Sequence, residues 1–273
     1  PESHDVVLCD HERQHQPHAY VRQVRTYSQT LWQPPANRRK LFPMTVTLVT
    51  GANKGLGFET AKQLVAAGQT VYMGCRNAEL GQAAAAEAGG RFVKLDVTSN
   101  GDVAAVLKTI RSEEGHLEVL VKCAGITGGF VEPEDVTAEN VQHVMETNFI
   151  GAMRTTHAFL EMLRDSSGTI VNVSSGLGSF GTVNNPDRQE SMLRTVAYSS
   201  SKAALNMATL QYSKAFPELS INVVDPGYTK TDLNGNSGTQ TVAEGAEVIV
   251  KMALENQNGP TGGYFDRFGP LPW

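Results

Sequence analysis

From position 46 onward the chain alternates short apolar runs with longer stretches in which apolar residues recur every three or four positions. The short runs, at 46–50, 70–73, 91–95, 117–121, 169–173, 221–224 and 263–265, are drawn largely from Val, Ile, Leu and Thr. Continuous apolar character suits strands buried on both faces, so seven strands are predicted there. Helices are predicted to begin near Leu56, Ala78, Asp102, Ala138, Thr195 and Val242. Ahead of the last, Thr241 and Glu244 have the spacing of a reciprocal cap, each side chain reaching the other's backbone N–H. Strands alternating with helices build parallel βαβ units, and right-handed crossovers put the helices on both faces. The expected fold is therefore α/β, a doubly wound sandwich around a mostly parallel seven-stranded sheet, with ligands at the carboxyl ends of the strands where the winding reverses.

Residues 1–43 break this pattern. They are rich in His, Gln, Arg and Pro and show neither period, so they read as a disordered or non-native extension outside a single domain spanning 44–273. His11-Glu12-Arg13-Gln14-His15 in the extension spells HExxH, a zinc pattern when it lies on a packed helix. Its neighbours Gln14, Gln16 and Pro17 provide no apolar face for packing, so it reads as solvated and no metal is expected. A net charge of -5 and a pI near 5.8 argue against a duplex nucleic-acid binder. No run approaches the ~18 apolar residues of a membrane helix. Cys9, Cys75 and Cys123 are odd in number and far apart, which suits a reducing, cytoplasmic setting.

Thr50-Gly51-Ala52-Asn53-Lys54-Gly55-Leu56-Gly57 closes the first strand and opens the first helix. Glycines there let the backbone approach a pyrophosphate, whose charge the free N–H groups of the helix start stabilise. Gly51, Asn53, Lys54, Gly55, Leu56 and Gly57 are the expected nucleotide contacts. At the end of the second strand a carboxylate would hold a ribose 2′-hydroxyl, but this chain reads Met73-Gly74-Cys75-Arg76. Arg76 and Lys54 instead suit a 2′-phosphate, so NADP(H) is the expected cofactor. Asp96 is a candidate acceptor for the adenine amino group, with Val97 offering backbone; an Asp at such a place also caps turns.

Tyr198 and Lys202 stand four residues apart, on one helix face, where a positive charge favours the phenolate. Ser175 follows the fifth strand, well placed to hydrogen-bond a carbonyl oxygen, and Asn148 lies in the long helix before that strand. Singly each has a plain structural reading. Their order and spacing together point to a proton relay beside a hydride donor.

These residues, with Ala124-Gly125 after the fourth strand and Asp225-Pro226-Gly227 after the sixth, resemble the short-chain dehydrogenase/reductase family over essentially the whole of 44–273. The resemblance implies a Rossmann-type fold and reduction of an aldehyde or ketone by NADPH. It implies Tyr198 as general acid, Lys202 lowering its pKa and binding the nicotinamide ribose, Ser175 orienting the carbonyl and Asn148 completing the relay. It also implies close backbone approach at Ala124 and Gly125, and contacts from Pro226, Gly227 and Thr229 at the nicotinamide end. The ending Gly259-Pro260-Thr261-Gly262-Gly263-Tyr264-Phe265 resembles the carbonyl reductase and menthol dehydrogenase-like branch. A non-catalytic NADP(H)-sensing protein on the same fold is the alternative, and the intact Asn148, Ser175, Tyr198 and Lys202 argue against it.

Two features depart from the family pattern. Lys122-Cys123 replaces an Asn pair, an expected loss of support beneath the cofactor, and a polar stretch at 184–188 lengthens the chain before Tyr198. That stretch is expected either to line the substrate mouth or to cover a helix face used in assembly, which leaves monomer and homo-oligomer open. Residues 228–240 are expected to form a flexible lid over a neutral, apolar small-molecule substrate.

Overall fold

The computed structural model describes residues 44–255 and 259–273, so the extension and its HExxH motif lie outside the described residues. The sheet has the order β3-β2-β1-β4-β5-β6-β7-β8. Its strands are β1 (Val46–Thr50), β2 (Thr70–Cys75), β3 (Arg91–Lys94), β4 (Val119–Lys122), β5 (Thr169–Val173), β6 (Ser220–Val224), β7 (Tyr264–Asp266) and β8 (Gly269–Pro270). The first seven run parallel, as expected. The two-residue β8 pairs antiparallel with β7, an addition too short to show in the apolar pattern.

Two cores flank the sheet because alternate residues of each fully buried strand face opposite sides. Val49, Val71, Met73 and Val121 pack with α1 (Gly55–Ala66), α2 (Ala78–Ala88) and α8 (Val242–Glu255). Leu48, Tyr72, Leu120 and Ile170 pack with α3 (Asn100–Glu113) and α5 (Gly151–Ser166). The expected cap forms at α8, Glu244 N donating to Thr241 Oγ1 at 3.2 Å and Thr241 N to Glu244 Oε2 at 2.8 Å. The long helix expected before β5 is interrupted. It consists of α4 (Ala138–Met145), a π-helical turn over Glu146–Ile150, and α5. Beyond β5 come the short α6 (Phe180–Val183) and α7 (Val196–Ala215). The winding reverses between β1 and β4, and the site is built there.

Candidate active site

The turn after β1 takes the expected form. Gly51 and Gly55 adopt φ of 67° and 55°, and a methyl group on Gly57 would fall 2.3 Å from the Gly51 carbonyl oxygen. No side chain caps the start of α1, which leaves its N–H groups directed at the turn. Thr50 Oγ1 accepts from Ala124 N at 3.1 Å, tying the ends of β1 and β4 together, and a methyl on Gly51 would lie 2.9 Å from Ala124 Cα. These close approaches make a backbone cradle of the β1 turn and the end of β4. Asn53 lies half-buried in it, whereas Leu56 turns away and packs on Gly245 of α8. Lys54 is already engaged, its Nζ 2.9 Å from Asp232 across the cleft.

Arg76 is exposed beyond β2, close enough to Asp96 to act on its charge. Burial works to raise the Asp96 carboxyl, but two bonds from Thr98 and the charges of Arg76 and Arg154 outweigh it and hold the group below the usual range. Asp96 Oδ1 accepts from Thr98 N and Oγ1 at 2.9 and 2.8 Å, so the capping role is the one its geometry displays. The Val97 carbonyl accepts from Arg154 Nη1 at 2.6 Å.

At the carboxyl end of β5 the catalytic candidates meet. Ser175 hydrogen-bonds the Tyr198 phenol, and Lys202 Nζ stands 5.5 Å from the Tyr198 ring centroid. Lys202 Nζ donates to the Val173 carbonyl at 2.9 Å. The adjacent Ser174 is buried and donates to Asn206 Oδ1 at 2.6 Å, so of the two serines Ser175 alone meets Tyr198. Asn148 lies in the π-helical turn and pins the strand-end backbone at Ile126, accepting from its N–H at 2.8 Å and donating to its carbonyl at 2.9 Å. Gly125 keeps the space between them open, since a methyl there would come 3.4 Å from Asn148 Oδ1 and 3.7 Å from Lys202 Nζ. Burial raises the Tyr198 phenol above its ordinary range, Asp225 adds to this and Ser175 opposes it. Burial likewise lowers Lys202 to about 8, against the opposing effects of Cys123 and Asp225.

A family model described as short chain dehydrogenase matches residues 45–242. The chain is a short-chain dehydrogenase/reductase. Among curated relatives, (-)-isopiperitenone reductase of Mentha piperita is 32% identical over 299 residues, covering 81% of this chain and 95% of that one. (+)-Neomenthol dehydrogenase of Capsicum annuum is 29% identical, again covering 81% and 95%. Among solved structures, NADPH-bound carbonyl reductase from chicken fatty liver superimposes with a TM-score of 0.74 at 26% identity, covering 85% of this chain and all of that one. The chain thus sits in the menthol dehydrogenase-like branch and is an oxidoreductase.

Within this dehydrogenase the Lys122 position is supported differently from what was expected. Its Nζ is buried and donates to Thr156 Oγ1 at 2.6 Å and Ala152 O at 3.3 Å, so an ammonium ties β4 to α5. Burial lowers this amine from 10.5 to about 7. Between those values the unfolded chain takes a proton that the folded chain does not, so the group weakens the fold most below about pH 7 and the penalty fades as pH rises. The melting temperature of the native chain is therefore expected to rise relative to that of Lys122→Met between about pH 7 and 9, read by calorimetry. A constant difference would show that Lys122 keeps its ordinary protonation.

The segment 228–240 carries hydrogen bonds of its own. Thr229 bridges Gln240, Asn234 Nδ2 donates to Thr229 O at 2.9 Å, and Tyr228 Oη meets Ser237 Oγ at 2.6 Å. Thr229 is buried, and its hydroxyl donates to Pro226 O at 3.0 Å and accepts from Gln240 Nε2 at 2.9 Å. These bonds tie Thr229 to the Pro226-Gly227 turn. The stretch before α7 reaches a cleft of about 290 Å³, lined by Arg188, Glu190, Asp225, Tyr228, Gln240 and Phe268 among others. Sequence reasoning noted Asp225 only as part of a motif. That a carboxylate stood at this strand end was the signal available.

Proposed function

We propose that this short-chain dehydrogenase/reductase reduces an aldehyde or ketone with NADPH, Tyr198 giving the proton. The observation that carries the reading is the meeting of the Tyr198 phenol with Ser175 beneath the Lys202 ammonium, across from the glycine cradle. Bound in the cradle, reduced nicotinamide supplies the hydride. Gly51, Gly55 and Gly57 would hold the pyrophosphate, and Ala124, Gly125, Pro226 and Gly227 would line the nicotinamide end. Ser175 holds the carbonyl oxygen within reach of the phenol. Tyr198, kept protonated at neutral pH by burial, passes its proton to that oxygen as charge develops there. Lys202 and Ser175 stabilise the phenolate left behind, and Asn148 fixes the backbone beside Lys202.

Arg76 serves the 2′-phosphate, joined by Lys54 once it exchanges Asp232 for the ligand. Exposed Phe130, Met192, Leu193 and Leu233 stand on loops after β4, β5 and β6, which supports an apolar carbonyl substrate. Among the described residues, Cys75 and Cys123 are free thiols, in keeping with a cytoplasmic enzyme. No described helix is long and apolar enough to cross a membrane.

The test is consumption of NADPH and NADH against a panel of ketones, aldehydes and quinones. Carbonyl-dependent oxidation of NADPH, faster than that of NADH, is expected. Binding of NADPH without turnover on any member of the panel would remove the reading. In Arg76→Ala the KM for NADPH is expected to rise about 10- to 100-fold with little change for NADH, since one charge-assisted contact is lost. Equal effects on the two cofactors would take the 2′-phosphate away from Arg76.

A further inference from the structure

Asp225 is 4% exposed at the carboxyl end of β6, between the two turns that bear the proposed chemistry. Its Oδ1 accepts from Gly227 N at 2.9 Å, and its Oδ2 lies against Gly176, the residue after Ser175. The fit at Gly176 is close, for a methyl there would lie 3.0 Å from Asp225 Oδ2 and 2.4 Å from Glu190 Oε1. One buried anion therefore joins the turn carrying Ser175 to the turn at the nicotinamide end. Glu190 does not share in this, because Arg188 holds it with bonds of 3.2 and 2.9 Å. The ionisable groups facing the cluster are Arg188 and Glu190 from the segment before α7, Tyr198 and Lys202 from α7, and Tyr264 and Asp266 from β7.

We propose that Asp225 is a positioning residue that locks the Ser175 turn against the Pro226-Gly227 turn and biases the Tyr198–Ser175 pair toward giving a proton rather than taking one. This rests on the reductase reading. An anion beside Tyr198 opposes loss of the phenol proton, and the same anion favours the charged form of Lys202. Reduction starts from the phenol, whereas alcohol oxidation starts from the phenolate, so the charge favours one direction over the other. Burial, with Glu190 adding to it, raises the Asp225 carboxyl to about 6. The bias is therefore present at neutral and alkaline pH and is lost as pH falls through about 6.

The experiment uses the full chain and the alcohol corresponding to the ketone it reduces fastest, with kcat for oxidation by NADP⁺ followed from about pH 6 to 10, along the rising limb that lies below the raised Tyr198 phenol. In Asp225→Asn, which can still accept an N–H but carries no charge, the rising limb of oxidation is expected to move about one pH unit lower. Asp225→Ser, smaller and also neutral, is expected to move it the same way and serves if the Asn variant does not fold. A limb that stays in place in a folded neutral variant overturns the proposal, because a merely structural role would lower the rate without moving the profile. Tyr198→Phe separates the two readings. If it remains active, the assignment of Tyr198 as proton donor fails and takes this inference with it; if it is inactive while the limb stays put, this inference alone fails.

Discussion

Tyr198→Phe is expected to lower kcat for carbonyl reduction by about 10²- to 10⁴-fold while leaving the Kd for NADPH nearly unchanged. The substitution removes one oxygen and one proton and keeps the ring that lies beneath Lys202. Without the phenol, the oxygen that gains charge must take its proton from water, and Ser175 loses the partner that orients its hydroxyl. Lys202 keeps its bond to the Val173 carbonyl, so the packing of α7 on β5 survives. Steady-state rates together with a fluorescence titration of NADPH check both halves of the expectation. Near-native kcat in a folded variant would sink the assignment of Tyr198 as proton donor.

A second large effect is expected at Gly57. An alanine methyl would sit 2.3 Å from the Gly51 oxygen, 2.9 Å from the Gly51 carbon and 3.2 Å from Ala52 Cα, all backbone atoms that no side-chain rotation can clear. The turn must open or α1 must move off β1. Gly57→Ala is expected to cost about 1–3 kcal/mol of stability. It is also expected to weaken NADPH by about 100-fold, because donors at a helix start act only when aimed at the phosphate. Gly101→Ala in α3 is the control. There a methyl meets only Ser99 Oγ, at 3.7 Å, so the exchange is expected to be neutral or stabilising by up to about 1 kcal/mol. Thermal melting and cofactor titration of both variants decide the matter, and equal behaviour would show that close packing does not set the turn.

Much of this molecule was legible along the chain. The seven parallel strands, the cap at Thr241 and Glu244, and the positive φ of Gly51 and Gly55 follow from periods and turn chemistry that act over a few residues. The spacing of Tyr198 and Lys202 likewise placed both on one face of α7. The π-helical turn at Asn148 was not legible, because no local propensity distinguishes it from a continuous helix. It goes with the bonds from Asn148 to Ile126, which lies 22 residues away. The partners of Thr229 were not legible either, since its hydroxyl meets Pro226 and the side chain of Gln240, 11 residues away.

By itself the sequence determined which segments form strands and helices, which turn needs glycine, and which residues bring a phenol, an amine and a hydroxyl to one end of the sheet. Those properties reside in steric and hydrogen-bonding relations among near neighbours, where period and spacing are sufficient. Only the tertiary structure decided which polar groups share a volume: Lys54 with Asp232, 178 positions away, Lys122 with Thr156, and Asp225 with Glu190 around Gly176. Such pairings depend on which elements the sheet order makes adjacent. Their effect on protonation depends on burial, which no residue possesses until the chain has folded around it.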